Sequence, residues 1–236
     1  MELFRRRAAR LQKGELCAVD SISRSAYGNT LTDVKWGKNK DKLPLEQTME
    51  TVVYTLDSHM PVYYRAFPGN IPDSRSVETI LTDIRHAGFP HVILITDRGY
   101  ESLQNLERYI LAGQAMIMCV KVRQKMVLEK IREFGDFGGR PPVMEIDPKS
   151  KLYHKQYDLE YPVTGKGGST TQSDRLRLNL YFDAIRRGTE LTALDVNIAM
   201  QRAALQEIKE MGASLDDDVT IKRNYNYFDI DYNESD

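Results

Sequence analysis

His91-Val92-Ile93-Leu94-Ile95-Thr96-Asp97-Arg98-Gly99-Tyr100 is the stretch whose reading decides the fold. Val92 to Thr96 is an unbroken run of apolar and β-branched residues, the composition of a strand covered on both faces. It runs straight into a carboxylate. An Asp followed by Arg-Gly ends such a run and must leave the core for water or a metal ion, while Gly99 lets the chain turn away.

Upstream, Leu16-Cys17-Ala18-Val19 followed by Asp20 repeats that logic: a short buried strand that delivers an acid at its end. Alone, Asp20 reads as a turn or cap residue; beside Asp97 it becomes half of a pair. Residues 47–56 and 61–67 are β-rich and joined through Asp57-Ser58-His59, which predicts a hairpin. Val77, Ile80, Leu81 and Ile84 recur at helical spacing, with Asp73 or Ser74 as the expected cap and Gly88 as the stop. Leu103, Leu106 and Ile110 mark a second helix ending at Gly113, and residues 115–120 read as another strand. Helical crossovers make the late strands parallel. The simplest arrangement sets the Asp97 strand beside the Asp20 strand, with both acids at neighbouring carboxyl ends, where open α/β sheets carry their sites.

From about Lys125 the texture changes. Phe134 to Pro142 and Thr164 to Thr171 are loop sequences, with short strand candidates at 143–146, 152–157 and 175–182. A helix is expected from about Val196 to Met211, capped by Asp195, and a last strand over 225–231. The Gly165-Lys166-Gly167-Gly168 run lacks the spacing of a phosphate-binding loop and reads as a mobile loop.

The 33 basic and 34 acidic residues nearly cancel, so global charge gives no argument for nucleic acid. The distribution is uneven: residues 1–42 hold 10 Lys/Arg against 5 Asp/Glu, and residues 213–236 hold 2 against 7. Cys17 and Cys119 lack the spacing of a zinc site or disulfide framework and read as reduced, buried thiols. No apolar run reaches membrane-spanning length and no secretory signal opens the chain, so a cytoplasmic protein without a membrane partner is expected.

Cys17-Ala-Val-Asp-Ser21, Tyr64-Arg-Ala-Phe-Pro-Gly-Asn-Ile-Pro-Asp-Ser74 and Ile95-Thr-Asp-Arg-Gly-Tyr100, in that order, resemble bacterial insertion-sequence transposases of the Asp-Asp-Glu type. The resemblance covers residues 15–123, and more loosely 170–212. It implies an α/β fold: an RNase H-like mixed sheet with flanking helices and a β-rich insertion subdomain. The expected divisions are a basic segment at 1–14, the first part of the core at 15–124, the insertion at 125–220 and a return strand at 221–236. It implies Asp20 and Asp97 as catalytic, metal-ligating acids for Mg²⁺ or Mn²⁺, and DNA at transposon ends as the partner, in a prokaryotic, nucleoid-associated setting. A homo-oligomer is compatible with it. Such families carry a third acid, a Glu, within Tyr-x2-Arg-x3-Glu-x6-Lys, and no Tyr here has Arg at the third following position. The third acid is therefore expected beyond Asp236, with Glu190, Glu207 and Glu234 as undistinguished surrogates.

Arg98 is a candidate phosphate contact because it adjoins Asp97; the plain alternative is a solvated Arg. Lys35, Lys38, Lys40 and Lys42 are candidates for tracking a DNA backbone, and Trp36 among them for stacking on an extruded base. The corresponding bland readings are a charged hairpin and a partly buried loop anchor. Asn70 and Asp73 read as turn and cap residues with no catalytic part. Two functions stay open: metal-dependent cleavage and joining of DNA ends, or a non-catalytic remnant that binds DNA or pairs with a full-length transposase. On the first, two acids alone predict no cleavage by this chain.

Overall fold

The structure, a computed structural model, describes residues 2–27, 32–38, 40, 42–133, 144–164, 170–210 and 227. Two compact units divide it, Met1–Glu133 with Asp158–Leu178, and Phe134–Tyr157 with Asn179–Asp236.

In the first unit, α1 (Glu2–Ala8) precedes β1 (Leu16–Ser25), β2 (Gln47–Thr55), β3 (Pro61–Pro68), α2 (Asp73–His86), β4 (Ile93–Thr96), α3 (Leu103–Leu111), β5 (Met116–Met118) and α4 (Lys125–Arg132). The five strands form one sheet in the order β3-β2-β1-β4-β5. β1, β2 and β3 are antiparallel neighbours, whereas β4 and β5 run parallel to β1. This is the RNase H-like mixed sheet. The expected adjacency of the two acid-bearing strands holds, with Val19 paired to Thr96.

The helices end where their glycines allow. Gly88 and Gly113 take φ of +74° and +63°, a left-handed conformation that costs glycine little. After α2, the Gly88 N–H donates to Arg85 O and the Phe89 N–H to Ile84 O; after α3, Gly113 and Gln114 do the same to Ile110 and Tyr109. Each pair satisfies carbonyls that the helix end would leave open. Ser102 caps α3 by accepting from the Asn105 N–H.

One sheet face makes the core: Cys17, Val19, Met49, Val53, Tyr63 and Phe67 cluster with Val77, Ile80, Leu81 and Ile84 of α2 and Tyr109 of α3. On the opposite face Ile22, Tyr64 and Ile117 stay 48%, 46% and 53% exposed. The strand of Val92 to Thr96 thus has one face in the core, with Leu94 buried, and the other only partly covered, with Ile93 and Ile95 half-buried. Its unbroken apolar run does not mark two-sided burial here.

Four further expectations are corrected. Asp20 does not end a strand; β1 continues to Ser25, because residues 20–25 pair one by one with Val52 to Gln47 of β2. Asp73 is not a cap: Pro72 stands at the cap position of α2, and no side chain bonds there. Cys119 is exposed, although Cys17 is buried and both are free thiols. The late helix starts well before Val196, as α5 (Ala184–Glu210), so Asp195 lies in its interior. Asp183 supplies the true cap, its Oδ1 accepting from the Arg186 N–H, and Arg186 pairs with Glu190 one turn on.

β6 (Glu145–Ile146), β7 (Tyr153–Thr164) and β8 (Thr170–Phe182) form a sheet of their own, in that order. Apart from Tyr227, the expected return strand lies outside the described residues. Among those residues no helix is long and apolar enough to cross a membrane.

Candidate active site at the β1 and β4 acids

β1 and β4 carry the site because they are parallel neighbours. With Val19 level with Thr96, Asp20 and Asp97 follow at adjacent positions. Strand alternation turns Val19, Ser21 and Thr96 into the core and leaves Asp20 exposed; Asp97, just past β4, is exposed too. Asp20 Oδ1 accepts the Ser21 N–H at 2.8 Å and Asp97 Oδ1 the Gly99 N–H at 2.8 Å. The second oxygen of each has no hydrogen-bond partner among the described residues, so both carboxylates keep a free hard donor.

Asp73, in the first turn of α2, reaches the same strand ends. Its Oδ1 accepts the Ser21 hydroxyl, and its Oδ2 lies 3.6 Å from Lys40 Nζ. Lys40 also donates to the Ser21 hydroxyl at 2.7 Å and to the Ser21 carbonyl. A Cβ on Gly99 would stand 2.9 Å from Asp73 Oδ2 and 3.0 Å from Asp97 Oδ1. Both oxygens therefore flank one glycine. Beneath them the Tyr100 hydroxyl, in a residue 1% exposed, has no hydrogen bond of good geometry, although it sits beside Ser21 and Thr51. Burial, and the charges of Asp73 and Asp20, push its pKa up.

Two buried polar residues brace the turn after Asp97. Asn105 is fully buried, and its Nδ2 donates to the Ser74 and Tyr100 carbonyls at 2.7 Å each, tying α3 to α2 and to that turn. Glu101, 3% exposed, pairs with Lys121 at 3.0 Å and accepts from Gln124. No sequence pattern marked Asn105 or Glu101, because a lone polar residue in a helix or loop looks solvated. Asp73 and Tyr100 did carry a signal: both stand within the motifs quoted above.

The basic candidates separate. Lys40 bonds to Ser21 and Asp73 while staying exposed, whereas Lys35, Lys38, Lys42 and Arg98, exposed as well, have no such tie to the acids among the described residues. Trp36 is 63% exposed, not a partly buried anchor. Its loop is nonetheless fixed: Lys35 exchanges backbone hydrogen bonds with Gln47, and Gly37 packs against Gly69 so closely that a Cβ would meet the Gly69 oxygen at 1.9 Å. Among the described residues, no three His, Cys, Asp or Glu groups lie close enough to hold one metal ion together. Glu190 instead pairs with Arg186, Glu207 is exposed on α5, and Glu234 lies outside the described residues.

Residues 11–202 match the family described as Transposase DDE domain. No curated protein shows significant similarity to the chain. Solved structures, among them the three that follow, overlap it in part. The piggyBac transposase synaptic complex with hairpin DNA matches at TM-score 0.40 and 10% identity, over 62% of this chain and 31% of that one. The simian T-cell lymphotropic virus intasome bound to PP2A regulatory subunit B56 gamma gives 0.31 and 13%, over 52% and 39%. The Mos1 transposase paired-end complex with the left transposon end gives 0.32 and 10%, over 56% and 50%. The chain thus spans a third to a half of the length of these proteins.

Proposed function

The chain belongs to the transposase DDE-domain family, and from that premise we propose that Asp20 and Asp97 are the metal-holding acids of a DNA strand-cleavage and strand-transfer site. The observation that supports the reading is the Val19–Thr96 pairing, after which the two acids follow at adjacent backbone positions, each with one carboxylate oxygen free of partners among the described residues. Oxygen-only donors of this kind suit a hard cation, Mg²⁺ or Mn²⁺, over a softer metal. Ions bound there would supply electrostatic stabilisation to the attacking and leaving oxygens of a phosphoryl displacement.

The chain's own residues would do the rest. Arg98, Lys38 and Lys42, exposed around the acids or on the loop that Lys40 anchors beside them, attract DNA phosphates without reading sequence. Trp36, held on a fixed loop with its ring in water, offers a stacking surface for an unpaired base. Residues 125–220, whose strands β6, β7 and β8 form a sheet of their own, are read as the inserted subdomain. Two acids do not position a second ion, so we infer that cleavage needs a further carboxylate.

The test pairs binding with chemistry on the purified chain and its Asp20→Asn and Asp97→Asn variants. Mn²⁺ binding, followed by the loss of the free-ion paramagnetic signal, is expected for the wild type and lost in both variants. With a labelled transposon-end duplex, no cleavage is expected from any of the three. Cleavage that vanishes in Asp97→Asn would show that an acid already in the chain completes the site. DNA binding with no metal binding would favour the non-catalytic remnant.

A further inference from the structure

We propose that Asp73 is a positioning residue of this centre, with Lys40 as its counter-charge, and that together they set the spacing between Asp20 and Asp97. The proposal rests on the reading of Asp20 and Asp97 as metal-holding acids.

Asp73 touches every segment that carries the site. It accepts the hydroxyl of Ser21, whose N–H is bound by Asp20. Through Lys40 it holds the loop that arrives beside β1. Its Oδ2 lies against Gly99, whose N–H is bound by Asp97. One side chain thus connects the backbone grips of both acids.

A plain helix-terminal role does not account for this. An acid in a first helical turn gains from the helix dipole wherever it points, yet the Asp73 carboxylate makes no cap bond and turns to the strand ends. The Tyr100 hydroxyl is the independent sign that something polar belongs there. It is a buried donor without a satisfied acceptor, beside Ser21 and within reach of the charges of both Asp20 and Asp73. Buried polar groups are nearly always paired, and the groups at hand for this one are the Ser21 and Thr51 hydroxyls beneath the two acids. Because no three acids converge on one point among the described residues, Asp73 acts through its neighbours and not as a ligand. Outer partners of this type hold metal ligands in place, and their loss weakens binding.

Lys40 makes the idea testable by sign. Its side chain is 42% exposed, so removing its charge does not open the core. Without it, the negative charge of Asp73 is left uncompensated beside the centre and draws a cation more strongly. Mn²⁺ affinity is measured on the whole chain, with thermal melting as the check on folding. Asp73→Asn is expected to weaken Mn²⁺ roughly tenfold or more, the usual scale for such partners. Lys40→Met is expected to tighten it, and the double variant to lose that gain. A structural role alone would lower the melting temperature and leave affinity untouched, or make Lys40→Met weaken it; either result overturns the proposal. Should Asp73→Asn fail to fold, the Lys40→Met sign decides. Asp97→Asn separates the two levels: if it loses the ion while Asp73→Asn keeps it, only the Asp73 role falls. If Asp97→Asn binds as well as wild type, the two-acid centre falls and the proposal with it.

Discussion

Gly99 stands at the most crowded point of the site, and its missing side chain is what lets two carboxylates flank one position. A methyl group there would press on Asp73 Oδ2 and Asp97 Oδ1, both at the movable ends of side chains. Gly99→Ala is therefore expected to leave the melting temperature almost unchanged while weakening Mn²⁺ binding; a large loss of stability with intact binding would contradict this. The end of β4 before Asp97 was legible because a strand signal stopped there, whereas β1 runs on past Asp20 through its pairing with β2. Asp73 stands in a quoted motif, yet its contacts were not legible, since an Asp opening an amphipathic helix looks like a cap until a spatial partner 52 residues away, Ser21, is known. Lys40 was legible only as charge. Whether a lysine points to solvent or to a buried hydroxyl depends on the path of its loop, which local pattern does not encode.

At the scale of elements, helix stops were readable because glycine chemistry is local: Gly88 and Gly113 end α2 and α3 as expected. The start of α5 was not, because Asp195 reads as a cap for a helix beginning at Val196. In fact Thr189 and Thr192 bond back to carbonyls one turn earlier, and Asp183 caps the helix. The loop that bears Trp36 depends on two glycines in contact. A Cβ on Gly69 would lie 2.0 Å from the Gln47 oxygen and 2.6 Å from the Lys35 oxygen, both backbone atoms that a side-chain rotation cannot relieve. Gly69→Ala is expected to cost about 1–3 kcal/mol, the range for overpacking that forces backbone shifts. A lower denaturation midpoint checks it. Trp36 is the only tryptophan, so a change in its emission before global unfolding would locate the damage in the loop.

For the whole molecule, the adjacency of the two acid-bearing strands followed from the helical crossover, whereas the one-sidedness of the core did not, because an apolar run looks alike with one face covered or two. The covered side has a signature in alkali. Burial raises the pKa of Tyr63, Tyr100 and Tyr109, and Asp83 adds to the effect at Tyr63; burial with the nearby Glu15 pushes the Cys17 thiol up to about 11. Each group is neutral in the fold at a pH where it would ionise when unfolded. Its contribution is thus complete below the ordinary tyrosine value of 10.0, or 9.0 for the thiol, and is lost as pH rises beyond it. The tyrosinate absorbance of Tyr63, Tyr100 and Tyr109 is expected to appear only with loss of the folded circular dichroism spectrum. Simultaneous ionisation near pH 10 with the spectrum unchanged would refute it. The uncovered face has a consequence of another kind. Asp20 shares it with Ile22 and Tyr64, so its field spreads into a medium of dielectric constant near 80. Any surface that settles on those side chains, whether polypeptide or nucleic acid, would strip that water away and make the same charges count several-fold more. On the proposed reading of Asp20 and Asp97 as metal-holding acids, desolvation, not the addition of charge, would then strengthen their hold on a cation.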